Sequence, residues 1–171
     1  MDDIKRYIRE VPDFPKPGIL FYDITTLLQD ARGLRLVLDR FGDLFADLEV
    51  DKVVGIESRG FLFGPHLAHR LDAGFVPVRK PGKLPSTTLK QSYALEYGTD
   101  QIEIHNDALR PGERVLIVDD LIATGGTAAA TAQLVQATGA EITAMGFVIE
   151  LTFLPGRDQL GGHRVESLVT Y

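Results

Sequence analysis

There is no cysteine among the 171 residues of this chain. That excludes a disulfide framework, a thiolate zinc site and a cysteine nucleophile, and it fits a reducing compartment, so a cytoplasmic protein is expected. Long apolar runs are also missing. None approaches the ~20 residues a membrane span needs, and the opening MDDIKRYIRE lacks the basic-then-apolar order of a signal peptide, so no membrane partner is expected. Basic excess is the third absence. Lys and Arg number 18 against 24 Asp and Glu, a net charge of −6. A sequence pI near 5.2 leaves no general positive field to hold nucleic acid or anionic lipid. A small anionic substrate stays compatible with this balance if positive charge is gathered locally. Internal repeats and low-complexity tracts are absent as well.

What is present is the composition of one soluble domain: 44% hydrophobic residues and 25% charged. A chain of this length buries roughly 70% of its unfolded surface, enough for a core without staples. Ile4, Tyr7 and Ile8 after Asp2 and Asp3 predict a short amphipathic helix. Pro12, Pro15 and Pro17 make the next stretch irregular or extended. Leu34, Val37, Leu38, Phe41, Leu44, Phe45 and Leu48 then follow a helical period for four turns from Asp30.

Four short apolar runs come next: Val53–Ile56, Phe75–Val78, Val115–Val118 and Ile142–Leu151. Helical candidates lie between them at Phe61–Leu71 and Thr127–Thr138, with Gly74 and Gly139 as C-terminal stops and Pro65 an awkward interruption of the first. Gln101–His105 alternates like a half-exposed strand, and RVESLVTY reads as a last one. Continuous apolar strands alternating with helices predict an α/β fold, with a parallel central sheet covered by helices on both faces. Such sheets hold ligands at the carboxyl ends of their strands. The polar clusters ESRG, RKPGK and DDLIATGGT all fall there.

The most informative segment is VLIVDDLIATGGT, residues 115–127. A buried strand delivers two adjacent carboxylates, Asp119 and Asp120. A short loop follows, and Ala123, Thr124, Gly125, Gly126 and Thr127 then open a helix whose free N–H groups and dipole suit a phosphate. No Gly-Lys-Ser/Thr follows, so this is not a Walker loop, and the G-x-G-x-x-G spacing of a dinucleotide site is absent. Ser58 and Arg59 sit at a second strand-turn-helix junction, where Arg59 offers a fork of donors matched to phosphate; a surface ion pair is the usual role of a lone arginine, but its place at a strand end beside Gly60 favours the anion site. Arg79, Lys80, Lys83 and Lys90 fall within a stretch from Asp72 to Glu96 that contains no acid in between. His66 and His69 lack a third ligand and predict no metal site.

VLIVDDLIATGGT resembles the phosphoribosyl-pyrophosphate (PRPP) signature of the type I phosphoribosyltransferases. PDFPKPGILFYDIT, ESRGFLFGP, VPVRKPGKLP and YALEYGTDQIEIH resemble the adenine-using branch, so the likeness runs from about Pro12 to Thr152. It implies a single type I phosphoribosyltransferase domain over 1–171. A small hood would come from about 12–28 and the C-terminal segment, with a flexible catalytic loop at about 80–100. The implied reaction is adenine + PRPP to AMP + pyrophosphate with Mg2+, in a homodimer. The implied PRPP site comprises Ser58, Arg59, Lys80, Lys83, Asp119, Asp120 and Ala123 to Thr127. Leu20, Phe21 and Leu151 would hold adenine, although plain core packing explains Phe21 and Leu151 equally well. Glu96 would act on a purine ring nitrogen as acid or base, with Tyr93 and Tyr97 closing the lid; Arg59, Asp119 and Asp120 join Glu96 as the catalytic set. Tyr22 stands where some members carry arginine, so an arginine contact to the base does not transfer. Two other readings share these motifs. One is a transferase for a 6-oxopurine, uracil or orotate. The other is a non-catalytic PRPP or purine sensor, against which no basic DNA-binding segment is visible.

Overall fold

A computed structural model describes residues 2–94 and 98–171. Its centre is a five-stranded sheet in the order β4-β3-β7-β8-β9, every neighbouring pair parallel. The strands are β3 (Lys52–Ile56), β4 (Gly74–Val78), β7 (Arg114–Ile122), β8 (Glu141–Glu150) and β9 (Val165–Thr170). Alternate residues feed two cores. Leu116 and Val118 pack with Val53 and Val148 on one face, while Val115 and Ile117 pack with Val54 and Phe147 on the other. Burial on both faces is why these strands read as unbroken apolar runs.

Helices α3 (Ala31–Asp43) and α4 (Gly64–Arg70) cover the first face, and α5 (Gly126–Ala137) covers the second. Asp30 caps α3 by accepting from the N–H groups of Arg32 and Gly33. The predicted fourth turn of α3 is not α-helical. Beyond Asp43 the N–H groups of Phe45, Ala46 and Leu48 reach back only three residues, so the apolar period continues through a tightened turn. Pro65 proves no interruption, because a 3₁₀ turn (Arg59–Leu62) precedes α4 and Pro65 falls in the helix's first turn, where its missing N–H costs nothing. Gly139 takes the left-handed conformation expected of a stop, at φ 82°. Gly74 does not. Asp72 adopts φ 53° after α4 instead, and Gly74 begins β4.

The N-terminal helix α1 (Asp2–Lys5) is a single turn; Tyr7 and Ile8 follow it in a bend. The proline-rich stretch is an antiparallel hairpin of β1 (Arg9–Pro12) and β2 (Leu20–Asp23), followed by the short helix α2 (Thr25–Gln29). A second hairpin, β5 (Thr88–Ala94) with β6 (Thr99–His105), packs on α5 and joins the sheet edge where Arg79 and Glu103 exchange main-chain hydrogen bonds. Ile102, Glu103 and Ile104 are buried there, so β6 is less exposed than its alternation suggested. Among the described residues, no helix is long and apolar enough to cross a membrane.

Candidate active site

The carboxyl ends of β3, β4 and β7 open into a cleft of about 510 Å³. It is lined by Ser58, Arg59, Lys80, Asp119, Asp120 and the continuous run Ala123 to Thr127. Lys83 is the one expected PRPP residue that does not line it. β7 does not end at the acids as the sequence suggested. It stays paired with β8 through Ile122, so both carboxylates project from a regular strand and are fixed by it.

The 3₁₀ turn holding Arg59 lies directly on β7. A Cβ at Gly60 would stand 2.7 Å from the Val118 carbonyl oxygen and 3.2 Å from Asp119 Oδ1, so only glycine permits this approach. The contact brings Arg59 Nε within 2.9 Å of Asp120 Oδ2. That ion pair is not aligned as a hydrogen bond, and among the described residues Oδ2, on a residue only 3% exposed, has no hydrogen-bond donor. Asp119 turns Oδ1 back onto the Asp120 N–H at 2.9 Å. Burial pushes both carboxyl groups above the ordinary carboxylate range. The Asp120 charge adds to the rise at Asp119, and Arg59 opposes it at Asp120.

Across the cleft, Gly125 is the N-cap of α5 at φ 83° and has no side chain to cap with. Ala129 donates back to the Gly125 carbonyl oxygen at 2.8 Å, leaving the preceding N–H groups of the first turn at the cleft wall. The loop is clamped from behind: a Cβ on Gly125 would lie 2.3 Å from the Gly156 carbonyl oxygen, and one on Gly156 would lie 2.3 Å from that of Ala123. Arg157 fastens Gly156 in place, donating to both Glu150 oxygens at 2.7 Å and to the Val165 carbonyl oxygen at 2.8 Å. Sequence reasoning missed this backing. Leu154-Pro155-Gly156 signals a turn, but nothing local says that the turn docks on the loop before α5.

The basic residues are already engaged. Glu57 receives Arg79, the Lys80 N–H and the Lys83 ammonium. Burial works against its ionisation, yet Lys83, the Lys80 N–H and Arg79 together hold its pKa at about 2. The Lys80 ammonium rests on Asp100 and donates to the Tyr93 hydroxyl at 2.8 Å. Burial alone would lower the Lys80 pKa, but Asp100 and Tyr93 raise it. Lys90 is 2.8 Å from the buried Glu103. Tyr93 faces Lys80 and a side hollow shared with Thr124 and Gly126, rather than the main cleft. Glu96 and Tyr97 lie outside the described residues.

Beside the β1–β2 hairpin, Phe21 and Arg59 line an adjoining apolar hollow of about 350 Å³ with Val11 and Phe14. The Arg59 guanidinium carbon is 5.7 Å from the Phe21 ring centre, so this side chain bridges hollow and cleft. Leu20 is exposed and Leu151 half-buried at the end of β8, both outside the main cleft. Among the described residues no three His, Cys, Asp or Glu side chains converge on one point, His66 and His69 included.

A model of the phosphoribosyl transferase domain matches residues 23–152. An adenine phosphoribosyltransferase of Solibacter usitatus is 61% identical over 171 residues, covering 100% of this chain and 99% of that protein. The chain belongs to the adenine phosphoribosyltransferase family. Solved adenine phosphoribosyltransferases superpose closely. That of Thermoanaerobacter pseudethanolicus has a TM-score of 0.96 at 51% identity, with 99% of each chain covered. The Saccharomyces cerevisiae adenine phosphoribosyltransferase, solved with adenine and an imino-altritol bisphosphate, has a TM-score of 0.92 at 43% identity, with 98% of this chain and 97% of that one covered. The parallel sheet with flanking helices is thus the type I phosphoribosyltransferase fold, shared along the full chain.

Proposed function

We propose that this protein transfers the phosphoribosyl group of PRPP to adenine, giving AMP and pyrophosphate, as in purine salvage. The observation that carries the reading is the shared cleft, which a buried Asp120 and its half-buried neighbour Asp119 line together with an uncapped helix N-terminus. The loop Ala123 to Thr127 takes the 5-phosphate through main-chain N–H groups and the hydroxyls of Thr124 and Thr127. Asp119 and Asp120 receive the ribose hydroxyls, and the donor-poor Asp120 Oδ2 is suited to one of them. Ser58, Arg59 and Lys80 meet the diphosphate. Lys83 reaches it only by leaving Glu57.

In the reaction the bond from the anomeric carbon to the diphosphate oxygen breaks, a bond to a purine ring nitrogen forms, and that nitrogen loses its proton. Positive charge grows on the sugar ring next to two carboxylates, and the burial of Asp120 makes its field strong. The departing polyanion is stabilised by Arg59 and Lys80. Adenine lies against Phe21 and Leu151, with main-chain groups near Leu20 reading its edge. Glu96 handles the proton on the purine, and Tyr93 and Tyr97 help exclude water from the closed lid. A magnesium ion fits this site only as a companion of the substrate. Asp119 and Asp120 are the carboxylates that would hold it, beside the oxygens of the substrate itself. Its chemistry is to neutralise diphosphate charge. A cytoplasmic homodimer without nucleic-acid or membrane partners completes the reading, and equilibrium sedimentation tests the dimer.

The deciding assay incubates the pure protein with Mg2+, PRPP and each of adenine, hypoxanthine, guanine, xanthine, uracil and orotate, and resolves the nucleotides by chromatography. AMP is expected as the dominant product. Binding of PRPP without AMP formation would overturn the assignment in favour of a sensor, and turnover of another base in preference to adenine would overturn the base.

A further inference from the structure

Tyr171 occupies an unusual position with respect to the two walls assigned to the base. Its main chain grips both residues flanking Leu151. The Tyr171 N–H donates to the Glu150 carbonyl oxygen at 2.9 Å, and its main-chain oxygen accepts from the Thr152 N–H at 2.8 Å and the Thr152 hydroxyl at 2.7 Å. Its ring packs on Tyr22, the neighbour of Phe21 on β2, with centroids 3.9 Å apart and planes 34° apart. Lys5 of α1 covers the same ring, its ammonium 4.4 Å from the centroid. Tyr22 is buried, and Tyr22, Tyr171 and Leu151 all pack against the core cluster on the hood side of the sheet.

We propose that Tyr171 is a positioning residue that fixes the separation between the Phe21 wall and the Leu151 wall of the base site. Hood and sheet are separate elements here. Among the described residues β2 pairs only with β1, and Leu151 extends from the end of β8, so neither wall's hydrogen-bond ladder there includes the other. The tyrosine pair joins them. On β2 the ring is that of Tyr22, next in the chain to Phe21, and its partner is Tyr171. A flat base slot tolerates little change in width, so loosening this joint weakens adenine and leaves PRPP, held by β3, β7 and α5, untouched.

The inference rests on the assignment of Phe21 and Leu151 to adenine, and the test separates the two. Steady-state kinetics with adenine and PRPP varied in turn are measured for Leu151→Ala, Tyr171→Ala, Tyr171→Leu and Tyr171→Phe, together with hydrogen exchange at the Thr152 amide. Tyr171→Ala should raise the adenine KM about 5- to 10-fold, the value of one aromatic pair, with kcat and the PRPP KM within about twofold. Thr152 exchange should quicken, and Tyr171→Phe should restore every value. Tyr171→Leu keeps apolar bulk and should fold if the alanine variant does not; it too should raise the adenine KM selectively. A parallel rise of both KM values, no rise in either, or failure of phenylalanine to rescue overturns the positioning role. If Leu151→Ala leaves the adenine KM unchanged, the base assignment falls and the inference with it. If Leu151→Ala raises it and the Tyr171 variants do not, only the inference falls.

Discussion

Replacing Gly125 by alanine inserts one methyl group where the structure leaves least room for it. Two costs coincide. The residue sits at φ 83°, a conformation that costs a non-glycine residue roughly 1–2 kcal/mol. Its new Cβ would also lie 2.3 Å from the Gly156 carbonyl oxygen, and relief to an ordinary contact of 3.4 Å needs about 1 Å of movement by one backbone or the other. The costs can be separated. Gly162 has φ 79° with nothing within 4 Å of its would-be Cβ, so Gly162→Ala carries the conformational cost alone. Gly156 has φ −60°, so Gly156→Ala carries the collision alone, against the Ala123 oxygen of the same loop. In a chain of this size the conformational cost lowers Tm by about 2–8 °C. A 1 Å displacement of a substrate-positioning loop costs up to ~10²-fold in rate. Thermal denaturation and PRPP-dependent kinetics of the three variants therefore have distinct expected patterns. Gly162→Ala loses Tm and keeps kcat/KM for PRPP; Gly156→Ala and Gly125→Ala lose at least about tenfold in kcat/KM, with Gly125→Ala also the least stable. Retention of wild-type kcat/KM for PRPP by both Gly125→Ala and Gly156→Ala would refute the phosphate loop's dependence on its backing.

Asp120→Asn should lower kcat about 10²-fold with the PRPP KM changed by less than about threefold, because the lost charge acts on the transition state; steady-state kinetics that show KM rising instead would contradict this. The raised pKa values of Asp119 and Asp120 in the free protein put the acid limb of the kcat/KM–pH profile above the ordinary value of about 4, since the pair must ionise to act and activity is lost as pH falls. Asp120→Asn should shift that limb downward by removing the neighbouring charge; a limb at or below about 4 in the wild type counts against the buried pair. Asp100→Asn frees the Lys80 ammonium and should lower the PRPP KM about 2- to 5-fold, in keeping with the modest strength of a half-exposed pair, whereas a higher KM would make Asp100 a helper rather than a competitor. Glu57, at about 2 in the folded protein and near 4.3 unfolded, contributes stability that is complete above the unfolded value and lost as pH falls through about 2. Tm measured from pH 5 to 2 should thus decline less steeply in Glu57→Gln than in the wild type.

The central strands and the loop that opens α5 were legible because their signals are local. Val115–Val118 and Val53–Ile56 announce buried parallel strands, and Thr124 to Thr127 announce a helix start. The continuation of β7 through Asp119 and Asp120 was not legible, because polar residues inside a strand look like a strand's end until the partner β8 is known to run alongside. The extra turn expected of α3 failed for a related reason: the apolar period of Leu44, Phe45 and Leu48 persists in a 3₁₀-like turn. Charge reading missed most. A basic stretch free of acids looked like a ready receptor for diphosphate, yet Glu57 and Asp100, remote in sequence, meet Arg79, Lys80 and Lys83 in space. Gly156 and Arg157 are invisible for the same reason, since their role is defined by a carbonyl oxygen more than thirty residues earlier.

The register of β3 on β7 places Lys52 beside Val115 and Gly55 beside Val118. Two halves of one cleft are therefore carried by segments some sixty residues apart, with β4 and the β5–β6 hairpin strung between them. Closing a loop of that length is an entropic step that local helix formation cannot replace, and topologies of this kind fold slowly. On a ribosome, the Ser58–Arg59 turn emerges long before the strand that gives Arg59 its carboxylate partner. Until β7 follows, the nascent chain has an arginine and no site, so competence to bind arrives with the sheet, in a single event.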